Sequence, residues 1–172
     1  KLWQRYTLAI NNKNASLAKY LKKKMTAGDR YLADLYQKVH SSPQDIRKVK
    51  TLSITNSTQQ FNDASVQHIV DIIEHGLYRH AYKQPEEAQQ LFKRFKKNYA
   101  FSDKAIQRIN KRIARQLIRQ EKLVRAMTLL NIMDTESRAD EVEYLLRKLL
   151  AKQEWSTINH WIKKLPEEQL SS

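Results

Sequence analysis

The stretch SDKAIQRINKRIARQLIRQ, residues 102–120, decides the fold. Ile106, Ile109, Ile113 and Leu117 recur every three or four positions, the spacing of one face of an α-helix. Ser102 stands where an N-cap belongs, because its hydroxyl can accept a hydrogen bond from an amide of the first turn that has no partner inside the helix. Arg108, Arg112, Arg115 and Arg119 follow at intervals of four, three and four. They form a continuous cationic stripe opposite Ile106 and Ile113. Such a helix must cover its apolar side with other helices.

Working outward, the same period runs through nearly the whole chain. Residues 2–10 read as a short helix carrying Trp3 and Tyr6. Asn14 is placed to cap 15–25, with Leu17, Ala18 and Leu21 as the apolar stripe. Asp29 reads as the cap of a helix to about His40, and Ser42-Pro43 as a cap and first residue of a short helix ending at Val49. KTLSITNSTQQFN (50–62) has no period and reads as loop. A long helix follows over 64–82, turning Val66, Ile69, Val70, Ile73 and Leu77 inward. Pro85 opens the next, where Glu86 and Glu87 complement the positive end of the helix dipole. Further helices are predicted over 122–133, 137–151 and 154–165, the last stopped by Pro166.

About ten short helices joined by short loops predict an all-α fold of stacked helical hairpins forming an α-superhelix, with 1–172 as a single domain or a fragment of one. A self-similarity at an offset of 140 agrees with hairpin repetition. It lays Ala18, Leu21, Lys23, Lys24 and Met25 over Ile158, Trp161, Lys163, Lys164 and Leu165.

Composition removes whole classes of function. The only glycines are Gly28 and Gly76, so the glycine-rich loops that cradle dinucleotides and nucleoside triphosphates are absent, and a sheet protein rich in tight turns is not expected. Cysteine is missing, which excludes thiol catalysis, disulfides and Cys-ligated metals. No apolar run approaches the roughly 20 residues of a membrane span. The chain opens on Lys1 and reads as a processed protein or an excised fragment.

The net charge is +14, and it is concentrated. Residues 93–125 hold twelve basic residues against Asp103 and Glu121. Like charges one helical turn apart repel by some tenths of a kcal/mol each, so the Arg108, Arg112, Arg115, Arg119 stripe is the candidate binding surface for an anionic partner. The bland alternative is a solvated outer face. His68, Asp71 and His75 can share a helix face, but the spacing is not that of a His-Glu-x-x-His zinc site, so no metal and no cofactor are expected. Trp155 and Trp161 lie on different faces of one short helix, and burial is the usual fate of such rings, with sugar stacking as the alternative. The carboxylate pairs Glu86-Glu87 and Glu167-Glu168 sit beside prolines and are explained by the helix dipole. No catalytic constellation is found.

Three segments, in order along the chain, carry a resemblance. TLAINNKNASLAKYLKKKM (7–25) resembles the helical superhelix of the soluble lytic murein transglycosylases, with its Ala-rich helix, Asn-containing turn and Leu-Ala-x-x-Leu helix. AFSDKAIQRINKRIA (100–114) is similar to that family's Leu-Ser-x-x-x-Ile helix start. ADEVEYLLRKLLAKQEWSTINHWIKKLPEE (139–168) looks like its run of Arg-x-Ala-Leu, Asp-Trp, Trp-Ile and Leu-Pro. Here Arg147, Leu150, Trp155, Trp161, Ile162, Leu165 and Pro166 match, while Leu149 replaces Ala and Glu154 replaces Asp.

The resemblance implies a non-catalytic superhelical piece of a periplasmic or envelope-associated enzyme that cleaves MurNAc–GlcNAc bonds of peptidoglycan to 1,6-anhydro products. The family's Glu-Ser and Gly-Leu-Met-Gln-Ile-Met-Pro motifs are not in this chain. The implied partners are peptidoglycan glycan strands and a catalytic domain of the same parent chain. Two other readings of the basic helical stack stand beside it: a nucleic-acid-binding repeat tracking phosphates, and a protein-interaction solenoid.

Overall fold

The computed structural model describes residues 1–49 and 63–164, with the side chains of residues 63 and 64 excepted. The expected loop at 50–62, Leu165, Pro166 and the pair Glu167-Glu168 lie outside the described residues. Those described form helices α1 (Leu2–Asn11), α2 (Ala15–Lys23), α3 (Ala27–Ser41), a 3₁₀ turn (Pro43–Lys48), α4 (Asp63–His80), α5 (Pro85–Phe95), α6 (Asp103–Arg119), α7 (Leu123–Leu130), α8 (Thr135–Ala151) and α9 (Trp155–Ile162). There is no strand among them. The fold is all-α, as the periodicity predicts.

Two kinds of local chemistry punctuate the helices. The first is a side-chain cap. Asn14 Oδ1 accepts from Leu17 N–H at 3.0 Å, Ser102 Oγ from Ala105 N–H at 3.2 Å, and Asp134 Oδ1 from Ser137 N–H at 2.7 Å. Thr26 Oγ1 accepts from Asp29 N–H at 3.2 Å, so α3 starts three residues earlier than expected and Asp29 belongs to its first turn. The preceding threonine competes successfully because its extended backbone (ψ 165°) aims the hydroxyl at that amide. The helix expected after Ser42-Pro43 is a tight 3₁₀ turn instead.

The second is a left-handed helix end. Lys13, Glu121 and Gln153 have φ of 58°, 59° and 59°, although none is glycine, and neither glycine has positive φ. Each follows a helix C-terminus, and the next amide bonds five residues back: Asn14 to Ala9 C=O at 2.8 Å, Lys122 to Leu117 C=O at 2.9 Å, and Glu154 to Leu149 C=O at 3.1 Å. These are Schellman turns, in which satisfied carbonyls offset a left-handed non-glycine residue costing about 1–2 kcal/mol. The turns close the hairpins α1–α2, α6–α7 and α8–α9.

The chain forms two compact units. In the first, Lys1–His80 with Leu91–Phe101, α1 packs on α2 and α3, and α3 packs on α4 and the 3₁₀ turn. Leu32, Ile46, Ile69, Ile73 and Leu77 are fully buried there. Gly76 lets α4 approach: a Cβ on it would lie 2.6 Å from Val39 Cγ1 and 2.7 Å from Ile46 Cδ1. An aromatic cluster joins three helices, with Trp3 stacked on His68 at 4.2 Å and its Nε1–H donating to Asp71 Oδ2 at 2.8 Å. In the second unit, Ala81–Gln90 with Ser102–Ser172, α6 packs on α7 and α8, and α8 on α9. Ile109, Ile113 and Leu117 of α6 are fully buried, each burial contributing about 1.5–3 kcal/mol. The register read from the sequence holds for α6, except that Ile106 is only half-buried; in the first unit Leu17 of the expected stripe is exposed and Val66 half-buried.

Candidate functional site

The helix that buries Ile109, Ile113 and Leu117 must turn its arginines the other way, and α8 lies alongside. Together with Tyr82, these helices frame a cleft of about 610 Å³ in the second unit. Arg112, Arg115 and Arg119 of α6 line one side, and Arg147, Tyr144 and Glu143 of α8 the other. Three of the four arginines of the expected stripe are thus brought together. Arg108 is exposed and does not line the cleft. Arg147 and Tyr82, which do, come from other helices and connections.

The guanidinium groups are held rather than loose. The Tyr82 ring has Arg112 at 5.2 Å and Arg119 at 5.4 Å from its centroid, and Arg119 Nη1 donates to its hydroxyl at 3.3 Å. A cation over a tyrosine face gains about 0.5–1 kcal/mol at an exposed site. Arg147 pairs with Glu143 one turn away. Arg115 Nε lies 2.9 Å from Glu141 Oε1, and Lys111 Nζ lies 3.6 Å from Oε2 while donating to Asp140 Oδ2 at 2.6 Å. The repulsion along the stripe is therefore relieved inside the protein, by α8 carboxylates and by Tyr82.

Glu141 is the unusual member. It is fully buried, with the two cations close by as ion partners but neither carboxylate oxygen engaged in a hydrogen bond. Burial pushes its carboxyl above the ordinary value, with Lys111 and Arg115 pulling the other way. Its neighbour Asp140 is held below the ordinary value, chiefly by the bond from Lys111. Glu141 had no signal in the sequence beyond its place in an acidic run on α8.

The other candidates disperse. His68 Nδ1 pairs with Asp29 Oδ1 at 3.2 Å, Asp71 accepts from Trp3, and His75 bonds Tyr36 and His40. Those three side chains are engaged separately, and no group of three or more metal-ligating residues is found among the described residues. Glu86 begins α5 and also bridges Lys122 and Arg125, the latter at 2.6 Å. Trp161 is buried as expected. Trp155 is 61% exposed, against the expectation of burial, because it opens α9 directly after a Schellman turn. No helix among the described residues is long and apolar enough to cross a membrane.

Fold and cleft together define an all-helical module with a cation-lined groove. No family model matches the chain, and no curated protein matches it. Among solved structures, an inactive mutant of the lytic transglycosylase Slt from Pseudomonas aeruginosa is similar to it, with a TM-score of 0.74 and 24% identity over 99% of this chain. The chain spans 26% of the length of that protein. The resemblance carried by residues 7–25, 100–114 and 139–168 thus has a counterpart in the fold of nearly the whole chain.

Proposed function

We propose that the chain is a non-catalytic, superhelical part of a peptidoglycan lytic transglycosylase of the periplasm or cell envelope, and that its arginine cleft engages the polymer. The observation that carries this reading is the fold likeness over 99% of the chain, made stronger by the three sequence segments that resemble the same family in the same order. The parent enzyme cleaves MurNAc–GlcNAc bonds in a lysozyme-like domain elsewhere in its chain. This part supplies surface. Peptidoglycan stem peptides carry carboxylates, and Arg112, Arg115, Arg119 and Arg147 offer planar donors that match them. Tyr82 and Tyr144 add flat amphipathic area beside those charges.

The experiment is retention of the chain on purified sacculi, with the variant carrying Arg112→Gln and Arg115→Gln measured beside it. Retention that falls with salt and falls again in the variant, at unchanged helicity, supports the reading. Equal retention of variant and parent rejects the cleft as the contact. Tighter binding to DNA than to murein rejects the peptidoglycan reading in favour of a nucleic-acid module.

A further inference from the structure

A second cleft, of about 490 Å³, lies in the first unit, where the turn after α1 and helix α2 face α3. Its basic lining is Lys13, Lys19, Lys22 and His40, with Asn14 and Gln37 as neutral polar neighbours. No aspartate or glutamate lines it, whereas the arginine cleft contains Asp140 and Glu143. Lys22 is paired with Asp34, whose carboxylate stands largely in solvent.

We propose that this cleft is a second anion site, taking one oxyanion group, a phosphate or a carboxylate, between Lys13, Lys19, Lys22 and His40. The proposal is independent of the arginine cleft.

The histidine is set for this role by a line of hydrogen bonds. Tyr36 O–H donates to Asn11 Oδ1 at 3.2 Å, so its oxygen is left to accept from His75 Nδ1–H at 3.1 Å. His75 Nε2 is then an acceptor, and takes the proton of His40 Nδ1–H at 3.1 Å. The neutral His40 therefore has its lone pair on Nε2, the one atom where a further proton can go. Burial holds that protonation below the ordinary histidine range, with the charges of Arg79 and Lys13 acting in the same direction. The charged and titratable groups around it are Lys13 from the turn after α1, Lys19 and Lys22 from α2, and His75 and Arg79 from α4; Asp45 of the 3₁₀ turn is held by Lys48. On the helix of His40 itself stands Asp34, paired with Lys22; apart from His75 and the carboxylates Asp34 and Asp45, these groups are fixed cations. A bound oxyanion opposes the field of those cations at the ring, so anion and proton bind together and each tightens the other.

The test follows the His40 ring by NMR in the full chain, with His40→Gln identifying its signal. The titration midpoint is measured without ligand, with inorganic phosphate, and with succinate. The expected result is an upward move of about one pH unit with at least one of the two anions. The move should persist in the variant with Arg112→Gln and Arg115→Gln, and vanish in the one with Lys13→Gln and Lys19→Gln, two exposed residues. A response to phosphate alone assigns a phosphoryl ligand, and one to succinate alone a carboxylate; either supports the site. An unmoved midpoint with both anions, or a shift that survives loss of Lys13 and Lys19, overturns it.

Discussion

Lys13 and Gln153, 140 positions apart in the chain, occupy the same place in the same turn. Both are left-handed, at φ 58° and 59°, and after each the next amide bonds the carbonyl five residues earlier. The offset equals that of the self-similarity that lays Ala18 and Leu21 over Ile158 and Trp161. All four of those side chains are buried. Turn and packed face recur together at this offset.

Left-handed backbone without glycine makes the turns improvable. Gln153→Gly should raise stability by about 1 kcal/mol, since glycine adopts this conformation without a clash of Cβ. Glu121→Gly should yield less, because it removes the ion pair of Glu121 with Lys152 at 3.0 Å. Urea denaturation midpoints compare the two; a lower midpoint for Gln153→Gly would contradict the turn assignment.

The two glycines should respond oppositely to alanine. At Gly76 the new methyl meets Val39 and Ile46, both buried, and over-packing of this kind costs about 1–3 kcal/mol. At Gly28 nothing lies within 4 Å, so alanine should stabilise α3 by about 0.5–1 kcal/mol through its helix propensity. Thermal melts followed by circular dichroism at 222 nm read both, and similar shifts in the two variants would show that Gly76 is not a close-approach site.

Glu141 runs against the usual carboxylate pattern. Its folded-state value is raised, so between the ordinary value and the raised one the folded chain holds more protons than the unfolded chain. Stability from this group increases as pH falls through that window and is lost as pH rises above it. Asp140 and Asp134 have depressed values and act in the opposite sense, losing their contribution as pH falls. Glu141→Gln should therefore stabilise the chain by up to about 1 kcal/mol at neutral pH, since it removes a buried charge whose partners Arg115 and Lys111 remain in contact with water. The gain should shrink on acidification. Denaturation midpoints across the acidic range decide it, and a variant less stable than the parent at neutral pH would reverse the assignment.

The arginines of the stripe should separate by position. Arg108→Gln should leave sacculus retention nearly unchanged, because Arg108 does not line the cleft. Arg115→Gln and Arg147→Gln should each weaken retention by a factor of about 2–10, the range of one exposed charged contact. Retention measured at two salt concentrations also distinguishes a direct contact from loss of fold, since screening acts over about 8 Å at physiological ionic strength. Equal losses at 108 and 115 would mean diffuse attraction to a basic surface.

The sequence was most legible where one residue acts on its own neighbours. Ser102 and Asn14 cap as read, and the apolar period of α6 buries the expected side chains. It was least legible where the deciding partner sits elsewhere. Tyr82 between two α6 arginines, and Glu141 beneath Arg115, depend on helices brought together by the fold, and no local spacing announces either. The Schellman turns are illegible in the sequence for another reason. Their hydrogen bonds are entirely backbone, and the residues at the strained position are lysine, glutamate and glutamine, which carry no turn signal.

That indifference to side chain bears on how far the sequence can drift. A bend closed by main-chain bonds makes few demands on spelling, and the cap that opens the next helix accepts serine, threonine, asparagine or aspartate alike. Such an architecture tolerates wholesale rewriting while its hairpins keep their outline. It is physically consistent that the likeness of fold to Slt persists at 24% identity while no family model matches the letters.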